Sequence, residues 1–254
     1  MVSSIEYVTF DPGLDMNTKY LTETMAYFLG GIFASEEEVT NAIGNYKIAP
    51  VRYNYNTASE MEIIEHYELV KALAKKVNGY TVMAENIRGG ALDSKKNRMP
   101  GFSTFFKSTS FEDLHDMIPR LKCALFDSPW SVRRAFIVGI YDGRGSADIN
   151  KNTQNVRMFA LDCITNEVGY FLSEIIESCN IRYNYNTHRD RLEGGRPRNP
   201  QLRIRDVEKF VREIGLISPR RINLLKQAYE HNYSFVTVVN EDSVLEGLKS
   251  IIVR

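Results

Sequence analysis

Leu29-Gly30-Gly31-Ile32-Phe33-Ala34-Ser35-Glu36-Glu37 and Ile137-Val138-Gly139-Ile140-Tyr141-Asp142-Gly143-Arg144-Gly145 are two versions of one pattern. Each ends an apolar run and carries glycine, isoleucine and an aromatic residue in succession. Inside a helix a glycine costs about 1 kcal/mol relative to alanine. It is kept where two backbones must approach closely, as at small-residue helix crossings. Two such helices predict a packed pair on a pseudo-twofold axis, with Gly31 and Gly139 at the crossing. Glu36 and Asp142 would then emerge side by side at the C-terminal ends.

Outward from these segments the apolar spacing repeats one order of elements. Met25, Phe28, Leu29, Ile32 and Phe33 have helical period, with Thr22 as the cap. Strands are expected over Val39–Gly44 and Lys47–Tyr55. A long amphipathic helix follows at Glu60–Val77, then strands at Tyr80–Ile87 and Phe102–Lys107. Phe111–Phe126 reads as a helix broken or restarted at Pro119. After Asp127-Ser128-Pro129-Trp130 the order recurs. A helix over Val132–Gly143, capped by Ser131, leads to strands at Ser146–Ile149 and Val156–Asp162. A helix over Glu167–Cys179 precedes strands at Ile181–Thr187 and Gln201–Arg205. Asp206 caps Val207–Ile214, Gly215 ends it, and Pro219 opens the last helix. The fold class is therefore α+β, two pseudo-symmetric αββαββα halves, residues 1–127 and 128–254, each about 100 residues or more and too long for a solenoid repeat. A monomer with internal twofold symmetry is expected. VRYNYNT (51–57) recurs as IRYNYNT (181–187), but the first copy precedes the middle helix of its half and the second follows it, so it does not prove duplication.

Composition narrows the functional classes. The chain has 254 residues, 43% hydrophobic and 25% charged, which suits a globular protein with a real core. Lys and Arg balance Asp and Glu at 32 each, so a nucleic-acid partner has to be argued from local charge. Three cysteines without CxxC spacing imply neither zinc nor a disulfide framework, and are expected to be buried thiols. Met1–Phe10 lacks the basic and apolar regions of a secretory signal. The expected location is the cytoplasm, or an organelle if the gene is organellar.

The second motif, IVGIYDGRGS, together with the degenerate first copy and the tail Gln201–Gly215 followed by SPRRINLLKQ, resembles the LAGLIDADG homing endonuclease family of the single-chain, two-repeat type. The resemblance covers nearly the whole chain. It implies two saddle-shaped antiparallel sheets whose strands read the DNA major groove. It also implies a carboxylate from each motif helix holding Mg2+ or another divalent cation for phosphodiester hydrolysis. The metal-binding acid of the family stands at the eighth motif position. On the alignment above this is Glu36 in the first half and Arg144 in the second. Asp142 lies two residues earlier, about 200° around a helix. The expected metal ligands are Glu36 and Asp142; for the second half three alternatives stand: the helix end unwinds to present Asp142, Asp148 substitutes, or the second centre is lost. The resemblance further suggests Arg220 or Arg221, in SPRR, as a basic group near the scissile phosphate. It implies a homing or restriction-type nuclease. Arg144 keeps open a catalytically degenerate relative that binds DNA or RNA as a regulator or maturase.

The partner is expected to be double-stranded DNA. Between Arg182 and Lys226 there are twelve Lys and Arg against five Asp and Glu. They include Arg189, Arg191, Arg196, Arg198, Arg203 and Arg205. Alternation in a strand puts Arg203 and Arg205 on the face opposite Leu202 and Ile204. Arg182, Asn184 and Asn186 share a face, as do Arg52, Asn54 and Asn56. Arginine grips phosphates and guanine edges bidentately, and asparagine pairs with adenine. Because asparagine is a poor strand former, folding alone does not explain its repetition. The plainer alternative for these positions is a solvated sheet face. The loop 88–98 is basic enough to contact a DNA backbone. His66, His115, His188 and His231 show no ligand spacing, and no glycine loop for a nucleotide is present.

Overall fold

Thr22 caps the first helix as its sequence requires: its Oγ1 accepts from Met25 N at 3.2 Å. In the computed structural model the described residues are 8–9, 21–34, 40–41, 47–54, 60–78, 83–84, 101–108, 114–150, 152, 156–163, 165–187 and 200–230. They fall into two compact units, Met1–Gly143 with Ile217–Arg220, and Arg144–Leu216 with Arg221–Arg254.

The first unit contains β1 (Val8–Thr9), α1 (Glu23–Ala34), β2 (Thr40–Asn41), β3 (Lys47–Asn54), α2 (Glu60–Asn78), β4 (Met83–Ala84), β5 (Gly101–Ser108), α3 (Leu114–Asp127) and α4 (Trp130–Arg144) up to Gly143. Its sheet runs β1-β5-β3-β2, with β4 also on β5. All pairs are antiparallel except the two-residue β1, which runs parallel to β5. Tyr53 stands opposite Phe102 in the β3–β5 register, and their rings stack at 4.7 Å. Ile63, His66, Tyr67, Val70 and Leu73 form the buried stripe of α2. Tyr67 and His66 meet the Phe102 ring edge-on. The expected boundary at 127/128 comes directly after α3. By contact, however, α4 belongs to the first unit because its glycine face packs on α1.

Two local expectations change. α3 is one continuous helix through Pro119. Proline at its sixth residue removes a single early helical bond and leaves the rest of the ladder intact. α4 starts at Trp130 rather than after Ser131, and Val132 N donates to Pro129 O at 3.0 Å. The thiols also differ from expectation: Cys163 and Cys179 are buried, but Cys123 on α3 is exposed.

The second unit contains β6 (Gly145–Ile149), β7 (Val156–Asp162), α5 (Asn166–Ser178), β8 (Tyr183–Asn186), β9 (Gln201–Ile204), α6 (Val207–Glu213) and α7 (Pro219–Glu230) from Arg221 onward. Its sheet is fully antiparallel in the order β6-β7-β9-β8. Phe159, Leu161, Leu202 and Ile204 are all buried on one face. Gly169 of α5 makes room for Tyr185, because a Cβ there would overlap its phenol. The Tyr185 hydroxyl reaches Asn166 Oδ1 at 3.0 Å. Asp206 Oδ1 accepts from Lys209 N to cap α6, and Gly215 follows it at φ 83°, a left-handed turn suited to glycine. The two RYNYN segments take different places: β3 precedes α2, whereas β8 follows α5.

Candidate nucleic-acid interface and motif-helix centre

The crossing of α1 and α4 is set by glycine. A Cβ on Gly30 would overlap the carbonyl oxygen of Phe136, and one on Gly139 would overlap that of Tyr27. Gly143 faces the Cβ of Ala34, with 3.0 Å available. Gly31 meets α4 only through its backbone, 3.7 Å from the Cβ position of Gly143, while a Cβ on Gly31 itself would face the Val51 side chain on β3. The reciprocal contacts match Gly30 with Gly139, Tyr27 with Phe136 and Ala34 with Gly143. This is one residue off the Gly31–Gly139 alignment. Two adjacent glycines in the first motif leave that choice open in the sequence, and packing against β3 decides it. In the new register the residue matched to Arg144 is Ser35, not Glu36. Glu36 itself lies outside the described residues.

Asp142 sits inside this centre. α4 remains helical to Arg144, so the end does not unwind before the motif is complete. The Asp142 side chain is buried, and its Oδ2 accepts from the Tyr27 hydroxyl at 3.0 Å. His66 Nε2 stands 3.5 Å from the same oxygen. Burial raises the Tyr27 pKa well above 10.0, and the negative Asp142 and neighbouring Tyr53 raise it further. The phenol therefore stays protonated and donates. Sequence reasoning left His66 without a role, yet it occupies the Ile63–Tyr67–Val70 stripe of α2. Asp142 likewise continues the Ala135, Val138, Gly139 face of α4 at helical spacing. Burial of both was legible from period, but their meeting was not.

A family-type metal centre would need open carboxylates from both motif helices. The described residues do not fit that requirement. The Asp142 carboxylate is enclosed by Tyr27 and His66, and Arg144 carries only donors. Asp148, the alternative acid, lies in β6 and binds Arg157 Nη2 at 2.7 Å. Burial lowers the Arg144 pKa, and the Asp162 carboxylate opposes that shift. Arg220 lies beside Glu62 at 3.8 Å, both in the first unit. Arg221 Nη2 donates to Gly145 O at 2.7 Å in the second unit, tying the start of α7 to the residue that follows α4.

The outer face of the second sheet gathers the expected recognition residues. Arg203 and Asn184 are register partners on β9 and β8, as are Gln201 and Asn186. Directly opposed side chains of this kind lie about 5 Å apart. Asn184, Arg182 and Arg205 are exposed, while Asn186 and Arg203 are half-buried. Gln201, which the sequence did not single out, stands on the same face opposite Asn186 and is buried. Arg189, Arg191, Arg196, Arg198, Asn56 and the loop 88–98 lie outside the described residues. In the first sheet, Arg52 and Asn54 occupy β3 opposite Ser103 and Gly101, and their side chains lie outside the described set.

The class of protein these features define is an α+β fold with paired glycine-crossed helices and antiparallel sheets, the element order expected from the LAGLIDADG resemblance. Among solved structures the chain is similar to the homing endonuclease I-DmoI in complex with DNA and Mn. That match has 16% identity, covers 76% of this chain and 96% of the other, and has a TM-score of 0.47. It is also similar to full-length DUF199/WhiA from Thermatoga maritima, at 12% identity over 97% of this chain and 74% of the other, TM-score 0.45. The N-terminal LAGLIDADG domain of DUF199/WhiA matches at 12% identity over 87% of this chain and 98% of the other, TM-score 0.43. No protein-family model and no curated protein sequence matches the chain.

Proposed function

We propose that the protein is a sequence-specific duplex-DNA-binding protein that presents the outer face of its second sheet to the major groove. The observation that carries this reading is the pairing of Arg203 with Asn184 on the face opposite buried Phe159, Leu161, Leu202 and Ile204. A two-sided strand register fixes which side chains point out. Those that do here are base-reading and phosphate-binding types, with Arg182, Asn186 and Arg205 beside them. The neutral total charge does not oppose this, because the local excess between Arg182 and Lys226 sets the field at the interface.

Affinity should fall steeply with salt. For about six contacted phosphates, raising salt from about 50 to 200 mM lowers the binding constant roughly a thousandfold. Arg205→Ala should weaken binding to all sequences alike and reduce the salt slope by about 0.9. Titrations of the wild type and this variant at several salt concentrations test it. A flat response in both would remove this face from DNA binding.

A second reading, metal-dependent phosphodiester hydrolysis of homing or restriction type, rests on Glu36 as the candidate acid of the first motif. Ser35 and Arg144 at the matched positions favour the non-cleaving protein instead. Incubating the wild type and Glu36→Gln with a duplex library and Mg2+, then sequencing new ends, separates the two. The expected result is intact DNA with both proteins, and the same affinity in a parallel titration. Cuts made by the wild type and lost in Glu36→Gln would establish the hydrolase, with Glu36 as its acid.

A further inference from the structure

We infer that Arg203 reads a guanine, and that a relay from half-buried Asp162 through buried Gln201 holds its guanidinium in the reading orientation. This rests on DNA recognition by the second sheet. Asp162 Oδ1 accepts from Gln201 Nε2 at 2.9 Å across the β7–β9 pair, where these residues are register partners. An aspartate accepts and does not donate, so it fixes which end of the Gln201 amide faces it. The other end, Oε1, is thereby turned along β9 and accepts from Arg203 Nε at 2.8 Å.

That bond engages the inner nitrogen of the guanidinium and leaves the Nη1–Nη2 edge to act as the fork. This edge matches guanine O6 and N7 in two parallel bonds. A free arginine loses much rotamer entropy when it binds; one held in advance loses less. Gln201 is buried and held by Asp162 from the neighbouring strand, as a positioning residue must be if it is to keep its own rotamer. The Arg144 guanidinium lies close enough to Asp162 for the two charges to interact. The arginine that departs from the family pattern thus acquires a place in the same chain of groups. Asn184, the cross-strand neighbour of Arg203, is positioned to contact the same or the adjacent base pair.

The test begins with selection from a randomised duplex library, followed by titrations of the selected duplex with each position replaced in turn. The wild type should prefer guanine at one position by roughly 10- to 100-fold. Arg203→Lys keeps the charge without the fork, and should erase that preference while leaving the salt slope unchanged. Gln201→Met and Asp162→Asn keep Arg203 itself. They should reduce the preference to a few-fold while affinity for duplexes lacking that guanine stays at the wild-type value. Thermal melting checks that each variant is folded, and Arg203→Lys does not depend on altering a buried group. Selective binding by the wild type with undiminished guanine preference in folded Gln201→Met and Asp162→Asn would overturn the relay alone. Full preference in Arg203→Lys would overturn Arg203 as the reader. A wild type that selects no sequence would overturn DNA reading by this sheet, and the inference with it.

Discussion

Gly139→Leu should abolish the native packing of α1 on α4, and Gly30→Leu should do the same. Even a single added carbon at either position meets a backbone carbonyl of the facing helix, Tyr27 O or Phe136 O. A carbonyl oxygen engaged in its own helix cannot rotate aside as a side chain does. The helices must separate, and the edge-on contact of Phe33 with Phe136 is lost. Overpacking costs about 1–3 kcal/mol where neighbours can adjust. Here the obstacle is backbone, so we expect at least about 3 kcal/mol, a large part of the total stability of a domain. Gly31→Ala is the internal control. Its added carbon meets only the Val51 side chain, which can shift, so the cost should be clearly smaller. Denaturant titrations of the Ala and Leu variants at the three positions rank them. Equal costs at Gly30 and Gly31 would show that the crossing lies elsewhere.

Asp142→Ala is expected to destabilise by about 3 kcal/mol, because it strands the buried Tyr27 hydroxyl and removes the carboxylate facing His66. The melting midpoint should drop by about 6–12 °C. Asp142→Asn keeps an acceptor for Tyr27 and should cost less. The prediction distinguishes a helix lock from a metal ligand. A ligand exposed to a cation would lose function with little loss of stability, whereas a lock loses stability first. Tyr27 adds a pH signature. Its folded pKa is raised above the ordinary 10.0, so its contribution is fully present below pH 10 and is lost as pH climbs through the raised value. Tyr27→Phe should remove that alkaline component. An unaltered melting midpoint in Asp142→Ala would refute the lock.

Most elements of the described chain were written in local pattern. Apolar spacing in α2, α4 and α5, the caps at Thr22 and Asp206, and the glycine after α6 act over a few residues. Their physics therefore survives in a single sequence. The same holds for the faces of β8 and β9, since strand alternation alone separates Arg203 and Asn184 from Leu202 and Tyr185. The burial of His66 and Asp142 was implied by helical period as well, although polar side chains on an apolar stripe invite a chemical reading before a packing one.

The tertiary structure alone decided how the two motif helices register, and with that which residues correspond. Two adjacent glycines satisfy the local pattern equally. Only the shape of the facing surfaces, carbonyls on one side and Val51 on the other, tells Gly30 from Gly31. The one-residue difference corresponds to about 100° around a helix and makes Ser35, not Glu36, the motif counterpart of Arg144 in the alignment. The partners of Asp142 and the support of Arg203 by Gln201 and Asp162 were likewise invisible beforehand. They join residues far apart in the chain, and such contacts depend on how strands and helices dock, not on any pattern that one segment carries.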